Sequence, residues 1–148
     1  MTADAKSGPD NRTVHRILQP AGWPEPKGYA NGALAEGRMV FTGGLVGWNE
    51  TGHFAEGFAG QVRLTLRNIL AVLAEAEAGP QHIVRMTWYV CDIDAYAASR
   101  KELGPIWREI VGPVYPPMAV VEVRRLVEKA ALLEIETTAV IPYPEGLK

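Results

Sequence analysis

Between Glu56 and Ala76 the apolar side chains Phe58, Val62, Leu66, Ile69 and Leu73 recur four, four, three and four positions apart, while Arg63, Arg67 and Glu75 fall outside that row. The spacing predicts an amphipathic helix with one apolar stripe. At 1.5 Å per residue such a helix is about 30 Å long. A helix striped on one side cannot bury itself. It needs a flat apolar surface, and a β-sheet crossed from edge to edge supplies one.

Four segments have the residues for that sheet. Arg38 to Val46 (RMVFTGGLV) alternates, with Met39, Phe41 and Leu45 on one side and Val40, Thr42 and Val46 on the other. The Gly43-Gly44 pair inside it marks either a bulge or a point where another group approaches the backbone. Ile83 to Val90 sets Val84, Met86, Trp88 and Val90 against Arg85, Thr87 and Tyr89. In YPPMAVVEV two prolines stiffen the chain and hand it to a β-branched run that Met118 opens. Ala131 to Ile141 is the last strand, with Leu133, Ile135, Thr137, Ala139 and Ile141 on one face and Leu132, Glu134, Glu136, Thr138 and Val140 on the other.

Gly79-Pro80 is expected to stop the first helix. A second is expected from Asp94 to Ile110, carrying Tyr96, Leu103, Ile106 and Trp107 and ended by Gly112-Pro113. The Pro- and Gly-rich QPAGWPEPKGYANG reads as a loop bearing Trp23 and Tyr29. The order predicts an α+β fold, a mixed sheet with two helices packed on one face. The other face would stay apolar and open, which predicts a homo-oligomer packing sheet against sheet.

The 148 residues fit one domain, expected over 14–148 behind a small, polar, flexible tail at 1–13. A net charge of −2 and a pI near 5.9 provide no basic excess, so a nucleic-acid partner is disfavoured. Cys91 is the single cysteine, which excludes an intrachain disulfide, and a small buried apolar role is favoured over a nucleophile. No apolar run is long enough to span a bilayer, and the polar start lacks the apolar segment of a secretory signal, so a cytoplasmic protein is expected. His15, His53 and His82 are isolated and read as surface residues; Asp92 and Asp94 read as helix caps rather than metal ligands. No phosphate-binding glycine motif occurs, and no cofactor or metal is expected.

Glu134 and Glu136 differ in kind from these. Strand interiors avoid Glu, and a buried carboxylate costs several kcal/mol unless it is paired. Either one serves proton transfer, its pKa raised by partial desolvation, or it forms a structural ion pair with an arginine across an interface.

Taken together, the Gly28-Tyr29 loop, the Gly43-Gly44 strand, the helix stretch NILAVLAEA, VRMTWYVCDIDAY, YPPMAVVEVRRL and LLEIETTAV resemble the RidA family, also called YjgF, the reactive intermediate deaminases, from about Gly28 to Val140. The resemblance implies a chorismate-mutase-like fold and a homotrimer with three clefts between subunits. It further implies cofactor-free hydrolysis of 2-imino or enamine acids to 2-keto acids and ammonia. Glu134 matches a glutamate that orients water or moves protons, Tyr29 the aromatic of a Gly-Pro-Tyr loop with Lys27 in place of its proline, and Gly43 and Gly44 a Ser-Gly pair that meets the ligand.

Met118 stands where the family carries an arginine that clamps the substrate carboxylate, Leu45 where it carries glutamine, and Arg100 where it carries asparagine. A thioether cannot make the bidentate contact of a guanidinium. A small imine, enamine or related carbonyl compound held without the standard clamp is therefore the expected ligand, with Trp88, Tyr115 and Met118 enlarging the pocket for a bulky or aromatic-derived substrate. Arg100 is placed to restore the charge from another direction. A metabolite-binding regulator without turnover is the alternative; ribonuclease activity, a label attached to parts of the family, fits an acidic chain worst.

Overall fold

Residues 11–146 are described by a computed structural model of the chain. In chain order the elements are β1 (Arg16–Leu18), β2 (Gly32–Leu34), β3 (Arg38–Phe41), α1 (Gly57–Glu75), a 3-10 turn (Pro80–His82), β4 (Ile83–Val90), α2 (Ile93–Ala98), α3 (Arg100–Ile110), β5 (Met118–Glu122) and β6 (Leu133–Ile141). The main sheet runs β3-β6-β4-β5. β6 is antiparallel to β3 and β4, whereas β5 is parallel to β4 and reached from it through α2 and α3. This is the expected mixed α+β sheet.

The stripe of α1 is buried as its period requires: Val62, Leu66, Ile69 and Leu73 join Met86, Trp88 and Val90 of β4, Leu133, Ile135 and Ala139 of β6, and Ile106 and Trp107 of α3 in one core. Polar residues widen the contact. Gln61, itself buried, donates to the Ala130 carbonyl at 2.9 Å and accepts from the Leu132 N–H at 2.8 Å, tying α1 to the chain entering β6. On the outer side Arg63 reaches Glu109 of α3 at 2.7 Å.

Several local expectations are corrected. The second helix is two, α2 and α3, broken at Ser99. Pro105 lies inside α3; it has no N–H for the Lys101 carbonyl and its ring crowds that carbonyl, which distorts the turn just before it. As expected, Asp92 caps α2, accepting from the N–H groups of Asp94 and Ala95 at 2.9 and 3.1 Å. β3 stops at Phe41, and from there to the Leu45–Ile135 bridge four residues face three on β6. The glycine pair therefore is a bulge, and it carries Leu45 to the core side instead of leaving it beside Met39 and Phe41.

The Pro/Gly-rich loop joins a short antiparallel pair, β1 and β2, too brief to show a period. Residues 1–10 of the expected tail, and 147–148, lie outside the described residues. Its last residues are held: Asn11 donates to the Tyr115 carbonyl at 2.8 Å and accepts from the Tyr115 N–H at 2.9 Å.

Helix α1 ends before Gly79-Pro80. The N–H groups of Glu77 and Ala78 return to the carbonyls of Ala74 and Leu73 at 2.9 and 3.0 Å. This closure puts Glu77 at φ 57°, a left-handed position that favours glycine. Glu77→Gly should raise stability by about 0.5–1 kcal/mol, read as a higher urea midpoint at unchanged slope.

The histidines divide. His53 is exposed, but His15 is buried with Nε2 3.1 Å from the His82 carbonyl oxygen, and His82 accepts from the Gly79 N–H through Nδ1 at 2.9 Å. Two expected surface residues thus pin the 3-10 turn. Burial, and then His15, push the His82 pKa down. The unfolded chain protonates this site first as pH falls, so the stability it contributes is complete above about pH 6.5 and is lost as pH drops through the lowered value. The urea midpoint should fall between about pH 7 and 5, and His82→Gln should flatten that fall.

Candidate functional site

The parallel register pairs Met86 with Met118 and Trp88 with Val120, so Trp88, Met118 and Val120 all face the helices. The bridge between Ala30 and Pro117 brings the 27–29 loop to the start of β5. Together with α2 and α3 these pieces enclose a cavity of about 510 Å³. Tyr29, Trp88, Arg100 and Met118, four of the residues expected at the ligand, line it. Tyr96, Leu103 and Trp107 line it as well; the sequence showed them as the apolar side of one helix, and only the parallel crossover turns that side over β4 and β5.

Rings dominate the walls. Trp88 stacks on Trp107 with centroids 6.4 Å apart and planes at 29°. It meets Tyr96 edge to face at 6.1 Å and 79°. Arg100 lies with its guanidinium carbon 5.8 Å from the centroid of the Tyr96 ring.

Tyr115, expected at the ligand, is not among the lining residues. It packs against the core, and its backbone holds Asn11. Strand alternation across Pro116-Pro117 does not persist, so nearness to Met118 in the chain does not carry Tyr115 into the cavity.

Glu134, Gly43 and Gly44 are elsewhere. Glu134 stands opposite Tyr89 in the β4–β6 register, on the sheet face away from the helices. A Cβ on Gly44 would overlap the Glu134 carboxylate, so the glycine provides the room in which this side chain lies. Gly43 has open space where its Cβ would be.

The two strand carboxylates, which share a face, have different surroundings. Glu136 accepts the Tyr89 hydroxyl at 2.7 Å. That bond, ahead of slight burial and the charges nearby, holds the Tyr89 hydroxyl protonated above the usual tyrosine range. Glu134 is half-buried and has no hydrogen-bond or ion-pair partner among the described residues. Its oxygens are free for water or a ligand. No group of three or more His, Cys, Asp or Glu residues among the described residues could hold a metal ion.

Met39 and Phe41 sit on the same face as Glu134, 60% and 65% exposed, with Val121 at 41%. That is a large apolar area for an uncovered sheet.

A four-stranded mixed sheet, helices on one side, a ring-lined cavity beneath them and a partnerless carboxylate on the far side define a small α+β protein with two candidate sites on opposite sheet faces. A sequence model of the endoribonuclease L-PSP family matches residues 24–141, and the chain belongs to that family, the RidA/YjgF proteins. It is 32% identical over 130 residues to the RutC family protein slr0709 of Synechocystis, covering 86% of this chain and 97% of that one. TdcF of Escherichia coli, provisionally named a reactive intermediate deaminase, is 32% identical over 105 residues, 70% of this chain and 80% of its own. A crystal structure of TdcF with bound serine superposes with a TM-score of 0.64 at 30% identity, covering 85% of this chain and 98% of that chain. Rv2704 of Mycobacterium tuberculosis, described as a YjgF/YER057c/UK114 family member, superposes at 0.59 with 30% identity over 77% of this chain and 87% of that one. No helix among the described residues is long and apolar enough to cross a membrane.

Proposed function

We propose that the protein hydrolyses a reactive imine or enamine to the carbonyl compound and ammonia, without a cofactor, in a homotrimer whose sites lie between copies. The observation that carries this reading is Glu134: a half-buried strand carboxylate without a partner among the described residues, set over the glycine Gly44 while its neighbour Glu136 is occupied by Tyr89. A half-buried strand carboxylate with no partner among the described residues to hold it is placed to take up and release a proton.

The chemistry asks little more. Water adds to the carbon of C=N; Glu134 accepts a proton from that water and delivers one to the nitrogen; the resulting carbinolamine expels ammonia as its hydroxyl becomes a carbonyl. One water is consumed and one ammonia released. N–H groups of the Gly43-Gly44 segment would face the developing oxygen. Within one chain Glu134 and the cavity occupy opposite faces of the sheet, so the cavity of one copy would meet the Glu134 edge of the next. The exposed Met39 and Phe41 would be covered in the same assembly. The same separation favours a second reading, a metabolite-binding protein without turnover, should copies not meet this way.

The test is ammonia release from freshly generated imines with and without carboxylates, by wild type, Glu134→Ala and Met118→Arg. Release that needs Glu134, with Met118→Arg shifting preference toward small 2-imino acids, supports the reading. Saturable binding without release from any member overturns it in favour of the second.

A further inference from the structure

The cavity on the helix side has three properties that a site for a small aliphatic imino acid does not need. Its 510 Å³ is large enough for a ring compound. Its walls are the faces and edges of Trp88, Tyr96 and Trp107, joined by the thioether of Met118, a side chain that packs well against rings. Its charge is of one sign: Arg100 and Lys27 line it, no carboxylate does, and neither cation has an ion-pair partner among the described residues. In addition, the indole Nε1–H of Trp88 is buried without a hydrogen-bond acceptor, a donor that costs stability until it is met.

We infer that this cavity binds a planar aromatic carboxylate, such as an arylalkyl 2-imino or 2-oxo acid, with the ring against the aromatic wall of Trp88, Tyr96 and Trp107, beside Met118, and the carboxylate toward Arg100 and Lys27. The inference rests on the deaminase reading for the identity of the reacting group, but the pocket's selectivity stands apart from turnover. Met118 then has a positive role: where an arginine would bring charge to the floor of the cavity, a thioether extends the apolar chamber, and the charge comes from α3 and the 27–29 loop instead. Arg100 stays oriented by its contact with the Tyr96 ring, so the anion site and the ring site share one wall.

Calorimetric titration with phenylpyruvate, pyruvate and benzyl alcohol tests this on the full chain. Phenylpyruvate should bind at least about thirtyfold more tightly than pyruvate, the ring contributing by its buried area. Arg100→Gln should weaken phenylpyruvate about tenfold while leaving benzyl alcohol unchanged, since only the charged contact is lost. Leu103→Trp, which fills the chamber from α3, should abolish binding of both ring compounds; if its near-UV spectrum shows that it has not folded, Met118→Phe narrows the same space and replaces it. Equal binding of pyruvate and phenylpyruvate, or phenylpyruvate affinity unmoved by Arg100→Gln and by the folded filling variant, overturns the inference. Ring-selective binding without ammonia release from any imine leaves the pocket assigned and removes the deaminase reading, whereas release from small imino acids without ring preference does the reverse.

Discussion

Glu134→Ala should lower the rate of ammonia release by about 10²–10⁴-fold, the range that a positioned general acid–base group contributes. The loss should fall on kcat rather than on ligand affinity, because Glu134 is not part of the cavity that holds the ligand's body. Glu136→Gln is the matched control on the same face: it keeps an oxygen beside the Tyr89 hydroxyl but takes away the negative charge of its acceptor. The Tyr89 pKa should then drop back toward its ordinary value in an absorbance titration, with turnover kept. Gly44→Ala should mimic Glu134→Ala in part, since its methyl would displace the carboxylate. Equal losses in Glu134→Ala and Glu136→Gln would assign the chemistry to the face as a whole and not to Glu134.

Phe41→Asp should convert the proposed assembly of three chains into single chains. Phe41 is 65% exposed beside Met39 at 60%, so a charge there is harmless to a lone chain. Enclosed between sheets it would cost several kcal/mol, once in every copy. Light scattering should give about three times the 16.2 kDa chain mass for wild type and one chain mass for the variant. Its ammonia release should fall with its mass while far-ultraviolet dichroism stays the same. A wild-type protein that scatters as one chain would remove both the trimer and the shared site.

Periodic signals in the chain were legible. The four-four-three-four spacing of Phe58 to Leu73 became α1 within one residue at each end, Ile83–Val90 became β4, and the faces of β6 fell as alternation required. What escaped lacked a period or depended on a break in one. β1 and β2 have three residues each. Leu45 changed sides because a bulge adds one residue. His15 became buried because the His82 carbonyl, far along the chain, lies against it. The cavity was half legible: Tyr29, Trp88, Arg100 and Met118 were singled out, while Tyr96, Leu103 and Trp107 looked like ordinary core and Tyr115 looked like a ligand contact.

By itself, then, the sequence determined the long periodic elements α1, β4 and β6, the buried stripe of α1 and the presence of two carboxylates on one strand face. These follow from backbone geometry, which repeats every 3.6 or every 2 residues whatever the rest of the chain does. Only the tertiary structure decided that Glu136 belongs to Tyr89 and that Glu134 stands free over Gly44, and that Met118 floors an aromatic chamber on the other side of the sheet. Those facts are set by the register between strands almost fifty residues apart and by which helix crosses above them, and no local period carries that information.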